Sequence, residues 1–330
     1  MPSIVDATND HRYRHVPGLN LLRGLAALMV CLFHCKKYIW QKNNPYEFVE
    51  LFEYGYLGVY VFFIVSGFVI PYSMYINRFT ITKFGRYLLK RTVRIEPPYI
   101  LFIVLLFIWN VFVHQLKGWG SSTLFGPEQF FLNITYLAPF FHVKWIVVIF
   151  WTLGVEFQFY VLSGLTHNIY LRNRWARYGS IVAFITIGKL IPADYYTVFN
   201  YYVFFAIGFQ TFLHYTGRIN RTEFGVTVVA LLFFVYLKEI PAAVPFSLLS
   251  IAGILFIRNS TAAADFLGKI SYSLYLTHGL AGGAIAVFMI GVLSPIARFA
   301  TAVGVAIIFA TVYYTLIERY FLQQSKRIRY

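Results

Sequence analysis

The groups best suited to chemistry in this chain sit inside long apolar runs. Arg23 and His34 share the run 19–35. Eleven residues of helix return the second side chain to within about 20° of the first, about 16 Å further along the axis. A cation at one end of a face and an imidazole at the other suit a lined passage. There His34, whose ring titrates near neutrality, would take a proton from a hydroxyl. The plainer alternative is a snorkelling arginine and a histidine satisfied by a backbone carbonyl. Of thirteen acidic residues, Glu156 is the one near the middle of an apolar run. A charge there costs about 2.5–3.5 kcal/mol on insertion scales, so it is functional or paired. It orients a catalytic base, binds a substrate hydroxyl, or ties two helices together as an ion pair. Gln158 adds a second polar group, and Tyr160 lies one helical turn from Glu156 on the same face.

Other segments carry chemistry less directly. Ser66-Gly67 lies in the run 54–75, but the Gly-x-Ser-x-Gly elbow of a serine nucleophile is absent, and close helix approach explains the pair as well. Cys31 and Cys35 flank His34 without a third and fourth ligand at matching spacing, so small apolar packing is expected there and no metal site. The stretch 78–94 holds Arg78, Lys83, Arg86, Lys90, Arg91 and Arg94 just before Glu96-Pro97-Pro98. That is more positive charge than orientation in a membrane requires, and arginine forks suit a phosphorylated ligand. A second intramembrane histidine, His278, follows Tyr275 in Ile270–Gly279.

These residues need elements to hold them, and composition says which. The 330 residues are 59% hydrophobic, 20% aromatic and only 12% charged, against roughly 25% charged in a soluble domain. An all-α integral membrane protein is expected. Ten stretches qualify as spans: 19–35, 54–75, 98–114, 145–164, 178–192, 196–214, 224–238, 243–257, 272–291 and 295–317, with Pro97-Pro98, Pro192, Pro241, Pro245 and Pro295 at their boundaries. The net charge of +15 lies between the runs and not on one continuous surface, which argues against nucleic acid as a partner. With the N-terminus in the cytoplasm, the larger share of the 28 lysines and arginines falls on the inner connections. These include Arg12 and Arg14, the stretch 78–94, Arg172 to Arg177, and Arg319 to Arg329. Ten spans and two cytoplasmic ends satisfy that bias. The chain then divides into a cytoplasmic tail 1–18, a transmembrane domain 19–317 and a basic cytoplasmic tail 318–330. No cleavable leader, internal repeat or further soluble domain is expected. The Asn-x-Ser/Thr patterns at Asn133, Asn220 and Asn259 carry no weight.

Taken in order, five of these segments resemble the integral-membrane acyltransferase-3 family. They are Arg23 with ten residues before His34; Gly58…Phe62-Phe63…Ser66-Gly67-Phe68; Arg91-x-x-Arg94 followed by proline; Trp151-Thr152-Leu153…Glu156…Phe159-Tyr160; and Ser271-Tyr272-Ser273-Leu274-Tyr275-Leu276…His278. The resemblance implies transfer of an acyl group, usually acetyl, from cytoplasmic acyl-CoA to a hydroxyl of an envelope or exported glycan, in a bacterial inner membrane. Carried over by position, His34 is the catalytic histidine, Arg23 its partner, and Glu156 part of the site. Arg91 and Arg94, with Arg86, lie near the CoA phosphates. Ser66, Trp151, Tyr160, Tyr275 and His278 bind substrate or support the site. Two positions depart from the pattern: Tyr60 stands where an acidic residue is common, and Phe157 follows Glu156 where many members repeat the glutamate. The form is the standalone one, without an esterase-like domain. The partners implied are membrane lipid, acyl-CoA and a carbohydrate acceptor, and a homo-oligomer is compatible with it. A transporter or flippase for a glycan or lipid-linked substrate is the competing reading, because intramembrane Arg, His and Glu also mark substrate pathways. Aromatic residues of the outer stretch 115–144, among them Trp119, Phe130, Phe131 and Tyr136, with Glu128 beside them, suit either stacking on sugar rings or an interfacial belt.

Overall fold

A computed structural model describes residues 16–40, 47–117, 125–238 and 240–330. Arg12, Arg14, Lys42 and Trp119, and most of the 1–18 tail, lie outside the described residues. Within them the chain is all-α, with no strand. Its helices are α1 (Pro17–Ile39), α2 (Gly58–Ile76), α3 (Phe84–Lys117), the short α4 (Pro127–Ile134), α5 (Trp151–Arg172), α6 (Arg174–Leu190), α7 (Val198–Tyr215), α8 (Arg221–Leu237), α9 (Ala243–Phe256), α10 (Ala262–Phe288), α11 (Pro295–Tyr313) and α12 (Arg319–Arg327). Each of the ten expected stretches overlaps one of these helices, with ends shifted by up to fourteen residues, from 98 to 84 at the start of α3. Among the described residues, five helical segments are long and apolar enough to cross a membrane: Pro17–Ile39, Val49–Ile76, Ile81–Gln115, Val148–Arg172 and Pro295–Arg327.

Helix starts follow local chemistry. Asn173 caps α6 by accepting from Trp175 N and Ala176 N, and Asn220 caps α8 by accepting from Glu223 N at 2.8 Å. Thr197 and Asn200 form a capping box on α7. The asparagines of two of the glycosylation-like patterns are therefore structural: Asn220 is this cap, and Asn133 is buried, accepting from Ile146 N at 2.9 Å.

Three boundaries differ from the sequence expectation. The stretch 54–75 begins inside a 3-10 segment, Glu47–Leu57, which Glu50 and Glu53 tie to the buried Lys36 of α1. Pro97-Pro98 does not end a helix but lies inside α3. Proline removes an N–H and leaves a helical carbonyl without its partner. Here the carbonyls so affected are those of Val93 and Arg94, and tyrosines from neighbouring helices add donors beside them, Tyr272 Oη to Ile95 O at 2.9 Å and Tyr313 Oη to Pro98 O at 2.5 Å. Finally, the stretch 318–330 is not a free tail. A π-turn, Tyr314–Glu318, carries α11 into α12, which packs on α3.

Small residues set the close crossings. A Cβ on Gly67 of α2 would stand 2.2 Å from Phe205 O of α7, and one on Gly208 of α7 would stand 2.0 Å from Ile64 O of α2. The two backbones touch because neither glycine carries a side chain. Along α1, Ala27, Cys31 and Cys35 form a buried seam with Ala302, Ala306 and Ala310 of α11. Both thiols are free and serve packing there.

Candidate active site

Five helices meet around a cavity of about 80 Å³. Arg23 enters it from α1, Ser66 and Phe62 from α2, Arg91 and Arg94 from α3, Glu156 and Tyr160 from α5, and Tyr272 and Tyr275 from α10. Seven of the residues picked out in sequence thus share one space, although 252 positions separate Arg23 from Tyr275. α1 packs most heavily on α10, which brings the first and last of these segments together.

Glu156 is the anionic centre. Its Oε1 accepts from Ser66 Oγ and from Tyr160 Oη, each at 2.7 Å. The Tyr160 contact is the one-turn relation legible in sequence. The Ser66 contact crosses from α5 to α2, and it gives Ser66 a hydrogen-bonding role while the neighbouring Gly67 provides the close approach. Neither bond is the salt bridge that was the plainer expectation for Glu156. Among the described residues, the ion pairs join Lys36 to Glu50 and Glu53 and Arg177 to Glu223. Arg23, Arg91 and Arg94 therefore line the cavity without a salt bridge to a carboxylate; Glu156 is the one carboxylate in the lining, and the buried Glu318 acts on Arg94 and Arg23 from behind it. Arg91 is held instead against the rings of Tyr87 and Tyr160, at 5.7 and 5.9 Å.

His34 stands apart from this space. It is half-buried and faces His278 of α10, with ring centroids 5.1 Å apart. His278 is fully buried, and its Nδ1 lies 3.0 Å from Leu274 O. A carbonyl only accepts, so Nδ1 carries the proton and Nε2 is left as a lone-pair acceptor, which has no partner in the fold. Tyr275 joins the two regions. It lines the cavity, shares a 2.6 Å hydrogen bond with Thr152 Oγ1, and its ring lies 6.2 Å from that of His278. The expectation that Glu156 holds His34 in one tautomer is corrected by this geometry. Glu156 is spent on Ser66 and Tyr160, and His278 is the neighbour of His34.

The remaining expected residues lie outside the cavity. Trp151 stacks on Tyr196 and Tyr201 at 5.1 and 4.8 Å. Arg86 is exposed near the start of α3. Gln158 is tied to α7, accepting from Val198 N at 2.8 Å. Tyr60 stacks on Phe204 at 4.2 Å, so the position where a carboxylate was anticipated serves packing. Of the outer-stretch residues, Glu128 and Phe131 are exposed, Phe130 lies 6.4 Å from Phe125, and Tyr136 is buried, donating to Glu96 at 2.8 Å.

One carboxylate escaped the sequence reading. Glu318, only 3% exposed, accepts from Ser273 Oγ at 2.5 Å and from Ser273 N at 3.2 Å. It falls one residue beyond the run 295–317 and was counted with the tail. The apolar residues Tyr320, Phe321 and Leu322 after it are the signal that the helix goes on. Among the described residues no group of three His, Cys, Asp or Glu side chains is arranged to hold a metal ion.

Comparison with known proteins places residues 16–315 under a family profile described as an acyltransferase domain. A putative peptidoglycan O-acetyltransferase of Bacillus subtilis, YrhL, is 26% identical over 193 residues, covering 54% of this chain and 28% of that protein. The peptidoglycan O-acetyltransferase OatA of Listeria monocytogenes is 25% identical over 210 residues, 58% of this chain and 30% of that one. A putative acetyltransferase of Acidianus two-tailed virus, ORF330, is 24% identical over 343 aligned positions, 94% of this chain and 95% of its own. The chain thus spans under a third of the two bacterial relatives. No solved structure matches.

Proposed function

The chain belongs to the acyltransferase family, and on that premise we propose that it is a multi-pass membrane O-acyltransferase. It moves an acyl group, acetyl in the simplest case, from cytoplasmic acyl-CoA to a hydroxyl of an envelope or exported glycan. The observation that carries this reading is the pairing of two features: a cavity with three arginines and one carboxylate in its lining, and a histidine pair beyond its Tyr275 end. The names of the relatives support acetyl as the group and a glycan as the acceptor.

Arg91 and Arg94 draw the anionic donor toward the cavity, and exposed Arg86 extends that cationic face along α3 to where the CoA phosphates lie. A cavity of about 80 Å³ is well below the roughly 300–1,000 Å³ of an ordinary small-molecule site. It therefore seats the acyl thioester end, and the nucleotide stays outside toward Arg86. Arg23 balances Glu156, while Ser66 and Tyr160 fix the carboxylate. The thioester carbonyl lies at the Tyr275 end, where the Tyr275 hydroxyl turns from Thr152 Oγ1 and Ile149 O to donate to the oxygen as charge develops on it. A ring nitrogen of His34 takes the proton of the acceptor hydroxyl as its oxygen bonds to the carbonyl carbon. The C–S bond then breaks, and the sulfur leaves as thiolate and takes the proton back from the imidazolium. His278, a neutral ring with a free Nε2, orients His34. Trp151 supports the outer rim through its stack on Tyr196 and Tyr201. Ten crossings with both ends in the cytoplasm bring the donor to the Arg91 end and the acceptor to the opposite one.

The test is transfer of label from acetyl-CoA to an envelope glycan fraction by purified protein in detergent, comparing wild type with His34→Ala. An alkali-labile ester that forms with wild type and disappears with His34→Ala is expected. Equal labelling by both proteins removes His34 from its role, and no labelling by wild type refutes the transferase reading.

A further inference from the structure

The arginine-lined cavity is closed on one side by Tyr330, a residue that follows α12. Ile70 of α2 and Arg91 of α3 form the wall nearest the start of α3. One helical turn beyond them, toward that same end, stand Ser73 on α2 and Tyr87 on α3. Tyr330 lies across this floor. Its hydroxyl shares a 2.9 Å hydrogen bond with Ser73 Oγ, and its ring meets those of Tyr87 and Phe79 at 5.4 and 6.3 Å. Lys90 Nζ lies over the same ring at 5.2 Å. Tyr330 is thereby buried, although Arg329 beside it is exposed.

The members of the floor are held in different ways. Tyr87 is fully buried within α3, and its hydroxyl donates to Tyr160 O of α5 at 3.1 Å. Phe79 packs edge-on against His167 of α5, with centroids 5.8 Å apart. Tyr330 belongs to no helix, since α12 ends at Arg327 and the three residues after it are irregular. It can therefore leave by rotation of a few backbone dihedrals, with no helix unwound, whereas Tyr87 cannot. Seated, it also bears on the chemistry of the cavity: Arg91 is buried, and Tyr330 is among the groups acting on its guanidinium, with Tyr87 and Tyr160.

We propose that Tyr330 is the inner gate of the donor path. Seated against Ser73 and Tyr87 it shuts the cavity from the side where α3 begins, and an acyl-CoA reaches Arg91 from that side only when the ring swings out. That the gated molecule is acyl-CoA rests on the transferase reading; closure of the cavity does not.

The test uses the full chain in lipid nanodiscs and measures alkylation of Ile70→Cys by labelled iodoacetate, a small anion. Cys31 and Cys35 are buried and keep the background low. Ser247→Cys on α9, fully buried and outside the cavity, reports any general loosening. A buried thiol reacts in proportion to the open fraction of its cover. Adding Tyr330→Ala is expected to speed alkylation at Ile70→Cys by about tenfold or more, and to leave Ser247→Cys within about twofold of its rate. Tyr330→Phe keeps the ring, and alkylation at Ile70→Cys is expected to stay within about threefold of the rate with Tyr330. Without the reporters, Tyr330→Ala is expected to bind acetyl-CoA about tenfold more tightly than wild type, since no closed state competes. The gate is refuted if Tyr330→Ala leaves alkylation at Ile70→Cys unchanged, or speeds both thiols alike; acetyl-CoA binding by wild type in that case leaves the transferase reading in place. Faster alkylation with acetyl-CoA bound no more tightly overturns the donor path. Faster alkylation in a protein that does not bind acetyl-CoA at all upholds the gate and overturns the transferase reading.

Discussion

At the scale of single residues, the site depends on how Glu156 is held. Its Oε1 receives two hydroxyl hydrogen bonds, from different helices. Ser66→Ala and Tyr160→Phe each remove one donor, and a charged acceptor with a missing partner costs about 1–3 kcal/mol. Because both bonds end on one oxygen, their effects are coupled. The double variant is expected to depart from the sum of the singles by about 0.5 kcal/mol or more in a denaturation cycle in detergent; strict additivity would mean that Glu156 is solvated independently of them. Glu156→Gln keeps a group of the same shape but removes the anion among three arginines. It is expected to leave the melting temperature within a few degrees and to lower transfer at least about tenfold, the scale of a lost charge-assisted contact. Unchanged turnover would reduce Glu156 to a structural role.

At the scale of elements, the bundle relies on two devices that a hydropathy profile cannot see. The first is the contact of α2 with α7. Gly67→Ala would push a methyl group to 2.2 Å from Phe205 O, which forces the helices apart and costs about 1–3 kcal/mol or more. Gly85→Ala is the control, since nothing lies within 4 Å of a Cβ there. It is expected to be neutral or stabilising by up to about 1 kcal/mol through helix propensity. Equal behaviour of the two in thermal unfolding would contradict the close packing. The second device is the proline pair inside α3. The hydroxyls of Tyr272 and Tyr313 tie the carbonyls of Ile95 and Pro98, beside the pair, to neighbouring helices. Tyr313→Phe is expected to destabilise by about 0.5–1.5 kcal/mol, the net worth of one hydrogen bond, and, because α3 carries Arg91 and Arg94, to weaken acetyl-CoA binding as well. Loss of stability with donor binding untouched would separate the proline pair from the site.

At the scale of the whole molecule, the arginine-lined cavity and the space of about 410 Å³ beside Trp109 and Trp145 lie toward opposite ends of α3, with the His34–His278 pair between them. In the proposed topology the arginine end faces the cytoplasm. Exposed residues suited to reporting this are Thr82, before α3, and Glu128, on α4. A membrane-impermeant maleimide added to intact cells is expected to label Glu128→Cys and to reach Thr82→Cys only after permeabilisation. The native thiols of Cys31 and Cys35 are buried and leave the background low. The opposite pattern would invert the orientation and with it the direction of donor and acceptor.

Sequence alone determined the class of this protein, because apolar runs and alternating charge reflect a transfer free energy that each segment carries by itself. It also determined most of the inner cavity. Arg23, Glu156, Arg91 and Arg94 are legible because a charge in an apolar run is costly wherever the helix packs, and Tyr160 because one helical turn is local geometry. Only the tertiary structure decided the partners. That Glu156 meets Ser66 across 90 positions, that His34 faces His278 and not Glu156, and that Pro97-Pro98 lies inside a helix where a break was expected depend on which helices adjoin. Glu318 was hidden for the same reason, since a residue just past an apolar run is buried or free according to whether the next turn finds a surface to pack on. A space of about 410 Å³ at the Trp109 end of α3 is the clearest case. Tyr38, Trp109, Gln129 and Trp145 come from four separate segments, and no spacing within any one of them announces the space they enclose.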